Sequence, residues 1–162
     1  MTRPLLLLLG DSITEYGSRL DTDGWIALLL NRYNRSADIA QRGMGGYTTQ
    51  WFMDLVIKTI EHDLSTTLQP HLITLWLGAN DAALVDGPAK KQHVPVASEA
   101  GVEVLDLYTV FNALPESQWK ALLVDGLHLN KEGNRFMEQH LVDFIKAKFP
   151  DLQKQLDKWE FP

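Results

Sequence analysis

Four short groups of residues in this chain could do chemistry: Gly10-Asp11-Ser12, Gly45-Gly46-Tyr47, Gly78-Ala79-Asn80-Asp81 and Asp125-Gly126-Leu127-His128. A serine hydroxyl acts as a nucleophile only beside a base. Of the histidines at 62, 71, 93, 128 and 140, His128 has a carboxylate three residues before it on a glycine-containing turn. That spacing can set Asp125 against one imidazole nitrogen while the other faces a substrate, which fixes the tautomer and stabilises the imidazolium formed on proton transfer. His62 lies in a polar connection, His71 opens a strand and His140 shares a helix face with apolar residues, so these three read as structural. His93, in AKKQHVPV, has no local acid. Acyl transfer also needs donors for an oxyanion. Gly46 can present its N–H without side-chain hindrance, Asn80 offers a carboxamide, and Ser12 can use its own N–H near the start of a helix. Each group alone has an ordinary alternative: Gly-x-Ser is a common turn or cap, and Asp-Gly-Leu-His is a common turn ahead of a helix.

The elements around these groups decide whether they can meet. LLLLLG, ending the run 4–10, is short, wholly apolar and closed by glycine, as expected of a strand buried on both faces. Residues 24–33 carry Trp25, Leu28, Leu29 and Tyr33 at helical spacing. A second strand is expected over 37–41, running into glycines 43, 45 and 46. A helix follows over 48–60, with Thr48 or Thr49 as its cap and Trp51, Leu55 and Thr59 along its inner face. The spacing predicts a third buried strand at 71–77 and a fourth at 102–107. An amphipathic helix over 131–148 is capped by Asn130 and turns Phe136, His140, Leu141, Phe144 and Ile145 inward. The charged tail 150–162 is expected to dock through Trp159 and Phe161. Trp51, Trp76 and Trp119 read as core residues rather than as the lining of an acyl pocket. Alternating strands and helices predict an α/β domain with a parallel sheet, in which function gathers beyond the carboxyl ends of the strands. Three of the four groups fall there.

Bulk properties narrow the partners. The 162 residues are a single domain's worth, and 45% hydrophobic with 22% charged residues is neither a disordered nor a coiled-coil composition. A net charge of −6 without any basic run argues against nucleic acid and anionic membranes. The absence of cysteine excludes disulfides, thiolate metal sites and a cysteine nucleophile, and fits a reducing compartment. The five leucines after Met1-Thr2-Arg3-Pro4 are too few for a signal sequence, and Gly-Asp-Ser stands where a small-residue cleavage site is expected. No run approaches the ~18 apolar residues of a membrane span. A cytoplasmic protein is expected.

Taken in order, GDSIT (10–14), RGMGGYTT (42–49), GAND (78–81) and DGLH (125–128) resemble the four blocks of the SGNH hydrolases, the GDSL esterase/lipase family. The likeness covers nearly the whole chain. QRGMGGYTTQW, LWLGANDAAL, KKQHVP and VEVLDLYTVF are similar to its isoamyl-acetate-hydrolysing esterase branch, which acts on small acyl esters. The resemblance implies a flavodoxin-like, three-layer α/β/α sandwich. It makes Ser12 the nucleophile, His128 the base and Asp125 its orienting acid. By the same resemblance Ser12, Gly46 and Asn80 would form the oxyanion hole, with Asp11 supporting the site. It implies an ester and water as partners, and no metal or organic cofactor.

The chain departs from that branch in one respect. QHVPV runs directly into ASEAGVEVLDL, where the branch has a helix, a further strand and another helix. About one βα unit is therefore missing near 96–97, and the sheet is expected to be one strand short of the family order 2-1-3-4-5. Neighbouring strands lie roughly 4.8 Å apart, against a Ser–His hydrogen-bond reach of only about 2.6–3.2 Å. Two readings follow. One is a competent serine esterase; the other is a shortened, impaired protein that binds without turnover or has no independent activity. A flavodoxin-like nucleotide binder finds no support, since neither a P-loop nor Gly-x-Gly-x-x-Gly occurs.

Overall fold

The computed structural model describes residues 3–82, 103 and 105–158. Within it the leucine run forms strand β1 (Leu5–Gly10), whose Leu6, Leu7 and Leu8 are fully buried. A leucine-only run favours neither helix nor strand by propensity alone. Burial on both faces decides it, because a central strand of a parallel sheet hides every side chain. β1 pairs in parallel with β2 (Asp38–Gly43) on one side and β3 (Leu72–Trp76) on the other, giving the order β2-β1-β3. Gly10 stands opposite Gly43 and Trp76, so the three strands end level with one another.

The chain divides into two compact units, Met1–Tyr16 with Ala37–Glu99 and Gly17–Ser36 with Ala100–Pro162. The first holds the sheet, the one-turn helix α1 (Ser12–Tyr16), and a longer helix entered at α3 (Thr49–Trp51). That longer helix continues through a π turn (Phe52–Val56) into α4 (Ile57–Thr66). Its core is Leu7 and Leu9 of β1 against Phe52, Val56 and Ile60, with Met44, Tyr47 and Leu77 partly buried around them. Thr48 caps the helix, its hydroxyl accepting from the Trp51 N–H. The inner face differs from the expected one by a single residue. Trp51, Leu55 and Thr59 lie outside, because Phe52, Val56 and Ile60 make a stripe that stays apolar for one turn longer.

The third strand also departs from expectation. Ile73 and Leu75 are 45% and 63% exposed, although the run reads as buried on both faces. They are in register with Leu7 and Leu9 and so share the face that Phe52, Val56 and Ile60 cover above β1.

The second unit is helical: α2 (Trp25–Arg32), α5 (Leu107–Asn112), α6 (Glu116–Lys120), α7 (Lys131–Lys148) and α8 (Pro150–Leu156). Helix α7 spans the expected residues, with Asn130 accepting from the Gly133 N–H as its cap. It packs on α2 partly through polar groups. The Asn134 side chain donates to Thr22 C=O and accepts from the Trp25 N–H, while Glu138 receives two hydrogen bonds from Arg32. Leu141 and Ile145 are buried as expected, while Phe136, His140 and Phe144 are only half-buried.

The expected fourth strand at 102–107 does not form at its described positions. Glu103, Leu105 and Asp106 are irregular, and Leu107 opens α5. The reason is local: the Asp106 carboxylate accepts from the Thr109 N–H and hydroxyl, which starts a helix. Trp159, Phe161 and His93 lie outside the described residues. Among the described residues no helix is long and apolar enough to cross a membrane.

Candidate active site

Ser12 follows the end of β1 by two residues and opens α1. Both ladders continue briefly past the strands, with Asp11 N–H donating to Trp76 C=O at 3.1 Å and Met44 N–H to Gly10 C=O at 2.9 Å. Asp11 is fully buried, and its Oδ1 accepts from the Ile13 N–H, which fixes the turn that presents the serine. Helix α1 is only five residues long, so it offers first-turn N–H groups rather than a sizeable dipole.

The loop after β2 brings Gly46 to the same end of the sheet. Gly46 has φ +80°, a conformation that costs little only for glycine. Asn80 follows β3 and donates through Nδ2 to Tyr47 C=O at 2.9 Å, while the second N–H of its amide is still a donor. Its neighbour Asp81, to which the sequence assigns no role, is fully buried. Both of its carboxylate oxygens accept from the Thr49 N–H at 3.0 Å. Asn80 and Asp81 thus tie the turn after β3 to residues 47–49, next to Gly46. The only signal for this in the sequence was the position of Asp81 inside the GAND block.

The second unit carries the acid and the imidazole on one tight loop. Leu123 and Leu129 form an isolated antiparallel bridge, and Val124 N–H donates to His128 C=O at 2.8 Å. Inside the loop, Asp125 Oδ1 accepts from the N–H groups of Leu127 (3.0 Å) and His128 (2.8 Å). Asp125 Oδ2 lies 2.7 Å from His128 Nδ1. A carboxylate only accepts, so Nδ1 carries the proton and Nε2 is the basic nitrogen. The His128 N–H and then its imidazole hold the Asp125 carboxyl at about 2, below the ordinary 3.8. Gly126 makes the loop possible with φ +88°.

The structure therefore joins Asp125 to His128 in one unit and gathers Asp11, Ser12, Gly46 and Asn80 at the strand ends of the other. His140 Nδ1 is hydrogen-bonded to Phe136 C=O one helical turn back, and His71 Nδ1 accepts from the Leu5 N–H, both structural roles. The tryptophans depart from the core reading: Trp51 is exposed, and Trp76 and Trp119 are half-buried. Among the described residues, no three His, Asp or Glu side chains converge as metal ligands would.

Residues 8–94 match the model of the GDSL-like Lipase/Acylhydrolase family. An isoamyl acetate-hydrolyzing esterase 1 homolog from Homo sapiens is 28% identical over 222 aligned positions, covering 96% of this chain and 87% of that protein. Since the chain has 162 residues, the relative carries a stretch within that span with no counterpart here. The isoamyl acetate-hydrolyzing esterase of Saccharomyces cerevisiae is 39% identical over 97 residues, 56% of this chain and 37% of that one. The crystal structure of a lipase/acylhydrolase from Enterococcus faecalis has the same fold, with a TM-score of 0.58 at 19% identity over 90% of this chain and 96% of its own. The chain belongs to the GDSL-like lipase/acylhydrolase family of carboxylic ester hydrolases.

Proposed function

We propose that this protein hydrolyses small acyl esters of the isoamyl acetate type through an acyl-enzyme on Ser12. In this reading Ser12 Oγ attacks the ester carbonyl while His128 Nε2 takes its proton. The tetrahedral oxyanion accepts hydrogen bonds from the N–H groups of Ser12 and Gly46 and from the Asn80 amide. Collapse expels the alcohol, which receives its proton from His128. Water, deprotonated by the same imidazole, then attacks the acyl carbonyl, releases the carboxylic acid and regenerates the serine. The observation that carries the reading is the Asp125–His128 bond at 2.7 Å, because it leaves Nε2 as the imidazole's base. The names of the human and yeast relatives supply the substrate class.

The second reading, a shortened protein that binds without turnover, draws on the missing stretch and on the exposed Ile73 and Leu75 of β3. Hydrolysis of p-nitrophenyl acetate and butyrate by the purified chain separates the two. The esterase reading expects turnover that falls by about 10³-fold or more in Ser12→Ala and His128→Ala, with fluorophosphonate labelling lost in Ser12→Ala. Equal rates in all three proteins would overturn the esterase reading.

A further inference from the structure

The loop that carries Gly46 is held by backbone and side-chain hydrogen bonds. Among them are Met44 N–H to Gly10 C=O at 2.9 Å, Tyr47 N–H to Met44 C=O at 3.2 Å, and the Asn80 side-chain amide to Tyr47 C=O at 2.9 Å. Another runs to a carboxylate: Gly45 N–H donates to Glu15 at 2.5 Å. Glu15 stands on α1, three residues after Ser12, and its own N–H is fixed on Asp11 C=O at 2.9 Å. The contact is close throughout. A Cβ at Gly43 would collide with the Glu15 backbone nitrogen. At Gly45 it would stand 2.7 Å from Glu15 Oε2 and 3.8 Å from Ser12 Cβ. The carboxylate and the serine therefore flank one point.

We infer that Glu15 is a positioning residue of the oxyanion hole, holding the Gly45–Gly46 peptide at the angle that aims the Gly46 N–H. The inference rests on the esterase reading above. The chemistry is direct: glycines at 45 and 46 leave the backbone free to rotate, and a bond from the Gly45 N–H removes that freedom at the residue before the donor. A carboxylate acceptor makes this bond stronger than a neutral one would. Glu15 and Gly45 are both exposed, so the bond adds little to folding and acts on loop geometry.

The test compares Glu15→Ala with Glu15→Gln, whose Oε1 still accepts from the Gly45 N–H. On p-nitrophenyl acetate, Glu15→Ala lowers kcat about 10-fold with KM within about twofold, a fraction of what losing a whole donor costs. Inhibition by an alkyl trifluoromethyl ketone, whose serine adduct places an oxyanion in the hole, weakens by the same factor. Glu15→Gln stays within about twofold of wild type, and both variants unfold within a few degrees of it. Unchanged kcat in Glu15→Ala, or equal losses in the two variants, would overturn the inference while leaving the esterase reading intact. Amide exchange at Gly45 and Gly46 reports independently of turnover. It speeds up about 10-fold in Glu15→Ala and not in Glu15→Gln; no acceleration overturns the inference even in a chain that hydrolyses nothing.

Discussion

The serine side and the histidine side of the proposed chemistry are built on different principles. Ser12, Asp11 and Asp81 are buried, and their surroundings are assembled from three loops far apart in the sequence. The bonds that set Gly46 and Asn80 link residues 47 and 80, and 49 and 81. The Asp125–His128 pair is held within one seven-residue loop by bonds spanning two or three residues, with side chains 53% and 26% exposed. A nucleophile and its oxyanion donors must converge from different strands, which requires a rigid sheet. An acid and its base can be wired by a single turn. The serine side is thus vulnerable to changes distant in sequence, and the histidine side mainly to changes within its own turn.

The largest effect that sharpens this contrast comes from Asn80→Ala. It removes a proposed oxyanion donor and also the bond to Tyr47 C=O, so kcat on a p-nitrophenyl ester falls about 10²–10³-fold. Asn80→Asp keeps the size but supplies only acceptors at neutral pH, and should lose as much. An Asn80→Asp enzyme with wild-type kcat would show that the side chain is a spacer rather than a donor.

The same contrast explains which parts could be read from the sequence. Asp125-x-x-His128 was legible because its chemistry is complete in four residues, and Asn130 because a cap bonds only three residues ahead. Strand β1 was legible because nothing on a protein surface resembles five consecutive leucines. Asp81 was not, since its partner Thr49 lies thirty-two residues away and no periodicity reports a carboxylate gripping an N–H. The face of the helix after Thr48 reads one residue out in the sequence, because Trp51-Leu55 and Phe52-Val56-Ile60 are both apolar rows and packing chose the longer. The exposure of Ile73 and Leu75 was illegible for a further reason: a strand's own residues do not state what covers them.

A middle-sized effect probes stability rather than rate. Asp81→Ala leaves the Thr49 N–H without its carboxylate and opens space at a fully buried position. The Thr49 N–H is half-buried, so leaving it unpaired costs about 1–2 kcal/mol, and the thermal midpoint drops by about 2–8 °C. Asp81→Asn, which retains one acceptor oxygen, should recover much of that loss. If Asp81→Ala unfolds at the wild-type temperature, the long-range wiring of the serine side is not what holds it together.

The smallest effect concerns pH and the histidine side alone. The folded-state value of Asp125, about 2, lies below the ordinary 3.8. The loop's hydrogen bonds therefore contribute in full above about pH 4 and are lost as pH falls from there toward 2. At the pH of any esterase assay the carboxylate is ionised, so the acid limb of a pH–rate profile does not arise from Asp125. Carbon-13 chemical shifts of the labelled Asp125 carboxyl across pH 1.5–6 report this directly. A midpoint near 2 fits a turn that wires itself, whereas one at the ordinary 3.8 would mean that the bonds to Leu127 and His128 do not persist in solution. In that case the histidine side would need support from beyond its own loop, and the distinction between the two sides would fail.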